Sequence, residues 1–222
     1  MIFATVLSAQ EAGALKSKFS KQDFALTADP GAPQWKSVKP AIISNDRYGK
    51  PVAGHRTEVR ARWTKDNLYF LFVCPYEALY LKPPPSSTTT ETNNLWDWDV
   101  AEVFIGSDFN DIRLYKEFEM SPRGEWVDLD IHYKEPRIGA DIHWDSGFTV
   151  KARIDEAKKI WYGEMKIPVS SVDSRPAKAG NRMRINLYRI QGPEPRVYLA
   201  WKPVNNPSYH TPSAFGEMIL EK

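Results

Sequence analysis

The sequence predicts an all-β chain, an antiparallel β-sandwich with few short helices, on three observations. Short runs that alternate apolar and polar residues recur along its length, and a period of two marks a half-buried strand. Turn residues separate those runs, with 17 prolines among 222 residues, and many short strands at regular spacing build sandwiches or barrels. Runs with helical spacing are sparse. A jelly-roll or immunoglobulin-like arrangement fits the pattern. No composition shift marks a linker, so residues 1–222 read as one domain.

The elements follow in order. MIFATVLSAQ (1–10) reads either as the end of a truncated secretory signal or as an N-terminal strand. SAQEAGALKSKF (8–19) reads as a short helix. TEVRARW (57–63) places Val59, Ala61 and Trp63 on one face and Glu58, Arg60 and Arg62 on the other. NLYFLFV (67–73) is apolar on both faces, as a central strand is, and Asp66–Asn67 supplies the turn before it. KPPPSSTTTETNN (82–94) is a long surface loop. A strand over 98–105 sets Val100, Glu102 and Phe104 against Ala101, Val103 and Ile105. LYKEFEMS (114–121) sets Phe118 and Met120 against Glu117 and Glu119.

After an SPRG turn, EWVDLDIHY (125–133) points Val127, Leu129 and Ile131 inward and Asp128, Asp130 and His132 outward. GFTVKARI (147–154) and IWYGEMKIP (160–168) follow, and PVSSV (168–172) makes one helical turn. RMRINLYRI (182–190), RVYLAW (196–201) and FGEMILE (215–221) complete the strands. Trp35, Trp63, Trp144 and Trp161 belong to the core, while Trp126 and Trp201 fit either core or site.

Composition excludes several functions. Thirty basic against 28 acidic residues give a net charge of +2 with no Lys/Arg block, which argues against a dedicated nucleic-acid binder. No apolar stretch reaches membrane-spanning length. Cys74 is the single cysteine, so an intrachain disulfide and a cysteine-only metal site are both impossible. The four histidines show no metal-ligand spacing, and no phosphate loop or nucleophile elbow is present.

The stretch LWDWDVAEVFIG (95–106) asks for a reason. It combines two tryptophans, costly to expose, with three carboxylates, costly to bury. Glu102 falls in mid-strand beside large apolar groups, and Trp96 falls just before the strand at the end of the long loop. A pyranose has an apolar C–H face that packs on an aromatic ring and hydroxyl edges that need polar partners. One reading therefore sets Trp96 at a rim and Glu102 on a floor. The other places Trp96 and Trp98 in the core and pairs Glu102 with an arginine, and composition alone favours it.

The chain resembles carbohydrate-binding module family 9 and the wider set of DOMON-related β-sandwiches. TEVRARWTKDNLYFLF, LWDWDVAEVFI, YKEFEMSPRGEWVD, GFTVKARI…IWYGEMKIP, RINLYRI and W…HTPSAFGEMIL carry the resemblance in that order, from about residue 25 onward. It implies non-catalytic carbohydrate binding, with a terminal ring, typically at a reducing end, held between two aromatic plates. By position, Trp96 matches the first plate, Tyr209 the second, Glu102 the carboxylate behind the ring and Asn206 a polar contact. Two positions depart from the family pattern: Glu119 stands where an arginine is expected, and Gln191 where a second acidic contact is expected. The resemblance also implies a periplasmic or extracellular protein and structural calcium, for which Asp97, Asp99 and Asp128 are available, although their spacing is no calcium loop.

Two other functions compete. Asp128, Asp130, Glu117 and Glu119 read as outward carboxylates on neighbouring strands, and a glycosidase needs two carboxyls roughly 5 to 9.5 Å apart. The plainer reading is an acidic face answered by Arg184, Arg189, Lys151 and Arg153. Some DOMON-type domains carry b-haem, and Met120, His132, His143 and His210 are the available ligands.

Overall fold

The computed structural model describes residues 13–134 and 137–222. In chain order the described strands are β1 (Leu15–Phe19), β2 (Ala41–Ile43), β3 (Asn45–Asp46), β4 (Thr57–Trp63), β5 (Asn67–Pro75), β6 (Val100–Gly106) and β7 (Leu114–Met120). They continue with β8 (Trp126–Lys134), β9 (Arg137–Asp141), β10 (Thr149–Asp155), β11 (Ile160–Pro168), β12 (Arg182–Gln191), β13 (Val197–Ala200) and β14 (Gly216–Glu221). One helical turn, α1 (Val169–Val172), follows β11 as PVSSV predicts, and residues 82–94 form the expected irregular loop.

The strands make a β-sandwich. One layer runs β10-β11-β5-β4, with β2 beside β4, and the other runs β14-β12-β6-β7-β8-β9, with β13 beside β12. Its main core lies between the layers, where Val59, Phe70, Phe72 and Trp161 meet Val103, Phe118, Met120 and Leu187. The approach is close at Gly163 of β11, where an added Cβ would stand 2.2 Å from Met120 Cε of β7. β5 is apolar on both faces because both are covered. Phe70 and Phe72 face the other layer, whereas Tyr69 and Leu71 lie with Trp35 under the segment that holds Ala32 and Val38.

Three expectations need correction. Residues 15–19 are a strand rather than the end of a helix, and residues 8–12 of that expectation, like all of residues 1–10, lie outside the described part. β1 pairs parallel with both β4 and β14 and so bridges the two layers. Its LKSKF alternation buries Leu15 and Ser17. Two open strand edges offer that backbone more hydrogen bonds than one helical turn could. Second, β8 has the expected alternation with the opposite facing. Asp128 is opposite Phe118 on the inter-layer side, and Val127, Leu129 and Ile131 lie on the outer face with Glu117 and Glu119. Asp128 is answered there on one oxygen: Ser146 N donates to its Oδ2 at 2.9 Å, as does the Ser146 hydroxyl, while Oδ1 meets no donor. Third, Trp144 is only half-buried, although Trp35, Trp63 and Trp161 are in the core. Its ring packs beside Phe118 at 6.1 Å and under the Lys116 ammonium at 4.7 Å.

Candidate functional site

The outer face of the six-stranded layer carries a second buried cluster, with Phe104, Tyr115, Leu129, Ile131 and Tyr188 among its members. A cleft of about 380 Å³ opens over it. Strand register builds the floor. Glu102 of β6 is directly opposite Glu119 of β7, and Phe104 is opposite Glu117. Their side chains therefore share one face. Leu129, Ile131, Ile138 and Ala140 form one wall, and Ile190, Tyr198 and Tyr209 line the cleft from other elements.

Trp96 stands at the rim. It lies in a single 3₁₀ turn, Leu95–Asp97, entered through Asn94 at φ 58°, a left-handed conformation that asparagine tolerates. Leu95 is fully buried beneath the turn, whereas Trp96 is 36 % exposed. Arg196 fixes the turn by donating Nη1–H to the Trp96 carbonyl at 3.0 Å. Asp99 follows, accepting from Tyr80 N at 3.0 Å and Gly192 N at 2.6 Å.

The floor carries three carboxyls and little to answer them. Glu102, Glu117 and Glu119 are 1 %, 3 % and 0 % exposed. Burial holds Glu102 well above the ordinary carboxyl range; the Glu117 charge adds to this and Arg196 opposes it. Burial also holds Glu119 well above that range, reinforced by the charges of Glu102 and Glu117. Glu117 is pushed up to about 7 by burial. No N–H or hydroxyl donor reaches either oxygen of Glu119, although Glu117 is near enough to share a proton with it. His210 Nε2 is 3.8 Å from Glu117, but burial pushes the imidazole down to about 4, so it is neutral at pH 7. Its Nδ1 is 2.8 Å from the Tyr115 hydroxyl.

The cleft gathers Trp96, Glu102, Glu119 and Tyr209 of the residues expected from sequence, and adds Glu117 and Arg47. Tyr209 is 8 % exposed, and its ring stacks on Tyr188 at 4.0 Å. Its hydroxyl donates to the carbonyls of Leu199 at 2.9 Å and Arg189 at 3.2 Å. Arg47 donates to Pro207 O at 2.5 Å and lies 4.2 Å from the Tyr198 ring.

Two expected residues lie elsewhere. Gln191 points between the layers, because its strand neighbour Ile190 takes the cleft face; its amide accepts from Arg189 and donates to Ala78 O at 2.7 Å. Asn206 is exposed on the turn before Tyr209, where it accepts from Ser208 N at 2.9 Å and lines a separate hollow.

The competing sites do not assemble. Asp128 and Asp130 lie on the opposite face of the layer from Glu117 and Glu119, so the four carboxyls share no space. Lys116 Nζ reaches Asp130 at 2.5 Å, whereas Arg189, Arg184 and Arg153 make their hydrogen bonds with Thr57, Asp108 O and Ala28 O instead. Met120 is buried between the layers, His132 and His143 are exposed and His210 lines the cleft, so no two of the four can serve as opposed ligands across one pocket. Asp97, Asp99 and Asp128 do not fit calcium. Asp97 is exposed, the other two already accept protein hydrogen bonds, and no three His, Cys, Asp or Glu among the described residues gather to hold a metal ion.

The family model described as "Carbohydrate family 9 binding domain-like" matches residues 30–222. The chain belongs to that family. This family 9 domain is 21 % identical over 180 residues to an "Extracellular protein" of Arthroderma benhamiae, covering 74 % of this chain and 78 % of the relative. Its fold matches that of a Bacteroides uniformis protein described as a candidate carbohydrate binder, with TM-score 0.70 and 15 % identity over 94 % of this chain and 99 % of that one. A family 9 carbohydrate-binding module from Caldicellulosiruptor kristjanssonii in complex with cellotriose aligns with TM-score 0.64 and 15 % identity over 94 % and 93 % of the two chains. The same organism's module in complex with glucose gives TM-score 0.60 and 16 % identity over 93 % and 95 %.

Proposed function

We propose that this family 9 domain binds carbohydrate without catalysis, in the cleft between Trp96 and the carboxyl floor. One observation carries the reading: a rim aromatic that is 36 % exposed stands over buried carboxyls in the same cleft. The C–H face of a ring stacks on Trp96, and its hydroxyls meet Glu102 and Glu119. Tyr209 serves as the second wall. A terminal ring fits the cleft's size, and the reducing end is the end we assign to it. The Arthroderma relative's description as extracellular supports an extracellular setting for this chain, and no described helix is long and apolar enough to cross a membrane.

Calorimetric titration with glucose, xylose, cellobiose and xylobiose, beside their alditols, tests the reading. One stacked ring and a few hydrogen bonds give a Kd on the order of micromolar to millimolar. Trp96→Ala weakens binding by about fivefold or more, since stacking of a nucleobase on an aromatic contributes ~1–3 kcal/mol and a sugar ring stacks no more strongly. Loss of binding on reduction to the alditol places recognition at the reducing end. A folded domain that gives no heat with any sugar overturns the proposal.

A further inference from the structure

Glu119 has no ordinary structural explanation. Other buried carboxylates meet protein donors on at least one oxygen, although Glu125 Oε1 and Asp128 Oδ1 meet none. Glu164, also 0 % exposed, accepts from Thr27 N and Ala28 N, both at 2.7 Å, and from Trp35 Nε1 at 3.0 Å. Asp99 accepts two backbone N–H groups. Glu119 is as deeply buried, lines the cleft and meets no N–H or hydroxyl donor at either oxygen, its one partner being the Glu117 carboxyl. Glu117 Oε2 meets no such donor either. A buried carboxylate left so is costly, by far more than a lost neutral hydrogen bond.

We infer that the cleft is built for a cationic sugar, an amino sugar whose protonated amine sits against Glu119, Glu102 and Glu117. The inference rests on the carbohydrate-binding reading and names the class of sugar. An ammonium group brings three N–H donors and one positive charge, which is what both oxygens of Glu119 and Oε2 of Glu117 lack. A neutral hydroxyl brings one donor and no charge. The 380 Å³ cleft admits a sugar ring, and its apolar walls and Trp96 hold the uncharged part of that ring.

No protein cation takes the place of the amine. Arg47 is at the cleft but is held by Pro207 O and the Tyr198 ring. Arg196 pulls on Glu102 from beneath the Trp96 turn, where it is tied to the Trp96 carbonyl and lies 3.8 Å from Asp99. His210 faces Glu117 as a neutral ring. The remaining titratable neighbours add no positive charge: Tyr188 from β12, Tyr115 from β7, Tyr209 from the turn after Asn206, and Asp97. Without ligand, burial and the mutual repulsion of these carboxyls favour their protonated forms. A bound ammonium replaces a proton and lets a carboxyl ionise, so binding releases protons.

Titration of the whole domain with glucosamine, glucose and N-acetylglucosamine tests this at pH 6.5. An amine flanked by electron-withdrawing carbons titrates near the α-amino value of about 7.7–8.0 and is charged there. Measurement in two buffers of different ionisation heat counts the protons released. Glucosamine should bind at least tenfold more tightly than glucose or N-acetylglucosamine, with about one proton released per ligand. Glu119→Gln should bring the glucosamine-to-glucose ratio toward one. A melting curve confirms that the variant is folded, and Glu102→Gln is the second variant if it is not. Glucose binding equal to or tighter than glucosamine overturns the inference and leaves carbohydrate binding standing. No binding of any of the three overturns both.

Discussion

Glu102 and Tyr209 show how far a residue's role can be read from its own position. The sequence places Glu102 in mid-strand among apolar neighbours, and a buried carboxyl there follows from alternation alone. What it faces does not follow, because Glu119 and Glu117 come from β7 and meet it only through strand register. Tyr209 is the converse case. Its position suggests a free plate, but its stacking on Tyr188 and its hydroxyl bonds to Arg189 O and Leu199 O make it structural as well. Tyr209→Phe should therefore cost about 1 kcal/mol. That lowers the melting temperature by about 2–4 °C for a chain of this size. A melting temperature equal to the parent's would show that those two bonds contribute nothing.

Elements were legible where one alternating run met one buried face. β4, β11 and β12 lie almost where their patterns place them. β1 was not legible, because AGALKSKF carries no local mark of the two edges it bridges. The facing of β8 was not legible either. β6, β7 and β12 are buried on both sides, by the other layer and by the cleft cluster, and alternation cannot say which side is which. Gly163 is an element-scale requirement of a different kind. Its hydrogen lets β11 approach β7, and an alanine Cβ would meet Met120 Cε at 2.2 Å and Trp161 Cζ3 at 2.9 Å. Gly163→Ala should destabilise the domain by about 1–3 kcal/mol through overpacking. Combining it with Met120→Ala should recover part of that loss. Denaturant unfolding of the two variants measures both, and equal stability of Gly163→Ala and parent would contradict the packing described.

At the scale of the whole molecule, the cleft carboxyls set a pH dependence. Glu102, Glu117 and Glu119 all have folded-state values raised above the unfolded one, Glu117 to about 7. Glu91, raised to about 7 chiefly by burial, adds in the same direction. His210, pushed down to about 4, and His55, also lowered, act the other way, but four raised carboxyls outnumber them, so between about pH 4.5 and 7 the folded chain binds more protons than the unfolded chain and stability falls as pH rises. The unliganded domain should melt at a lower temperature at pH 7.5 than at pH 5, and Glu119→Gln should flatten the slope. A melting temperature that climbs across that window would rule out these raised values as the controlling groups.

The sequence by itself determined the all-β sandwich, most strand positions, and the presence of an aromatic and a carboxylate at one end of β6. These follow from local period and turn chemistry, which act within a few residues. Only the tertiary structure decided which side chains share the cleft. It admitted Glu117 and Arg47, removed Gln191 and Asn206, and separated Asp128 and Asp130 from Glu117 and Glu119. The physical reason is register: each strand fixes its own alternation, but pairing and the covering of both faces fix what that alternation points at.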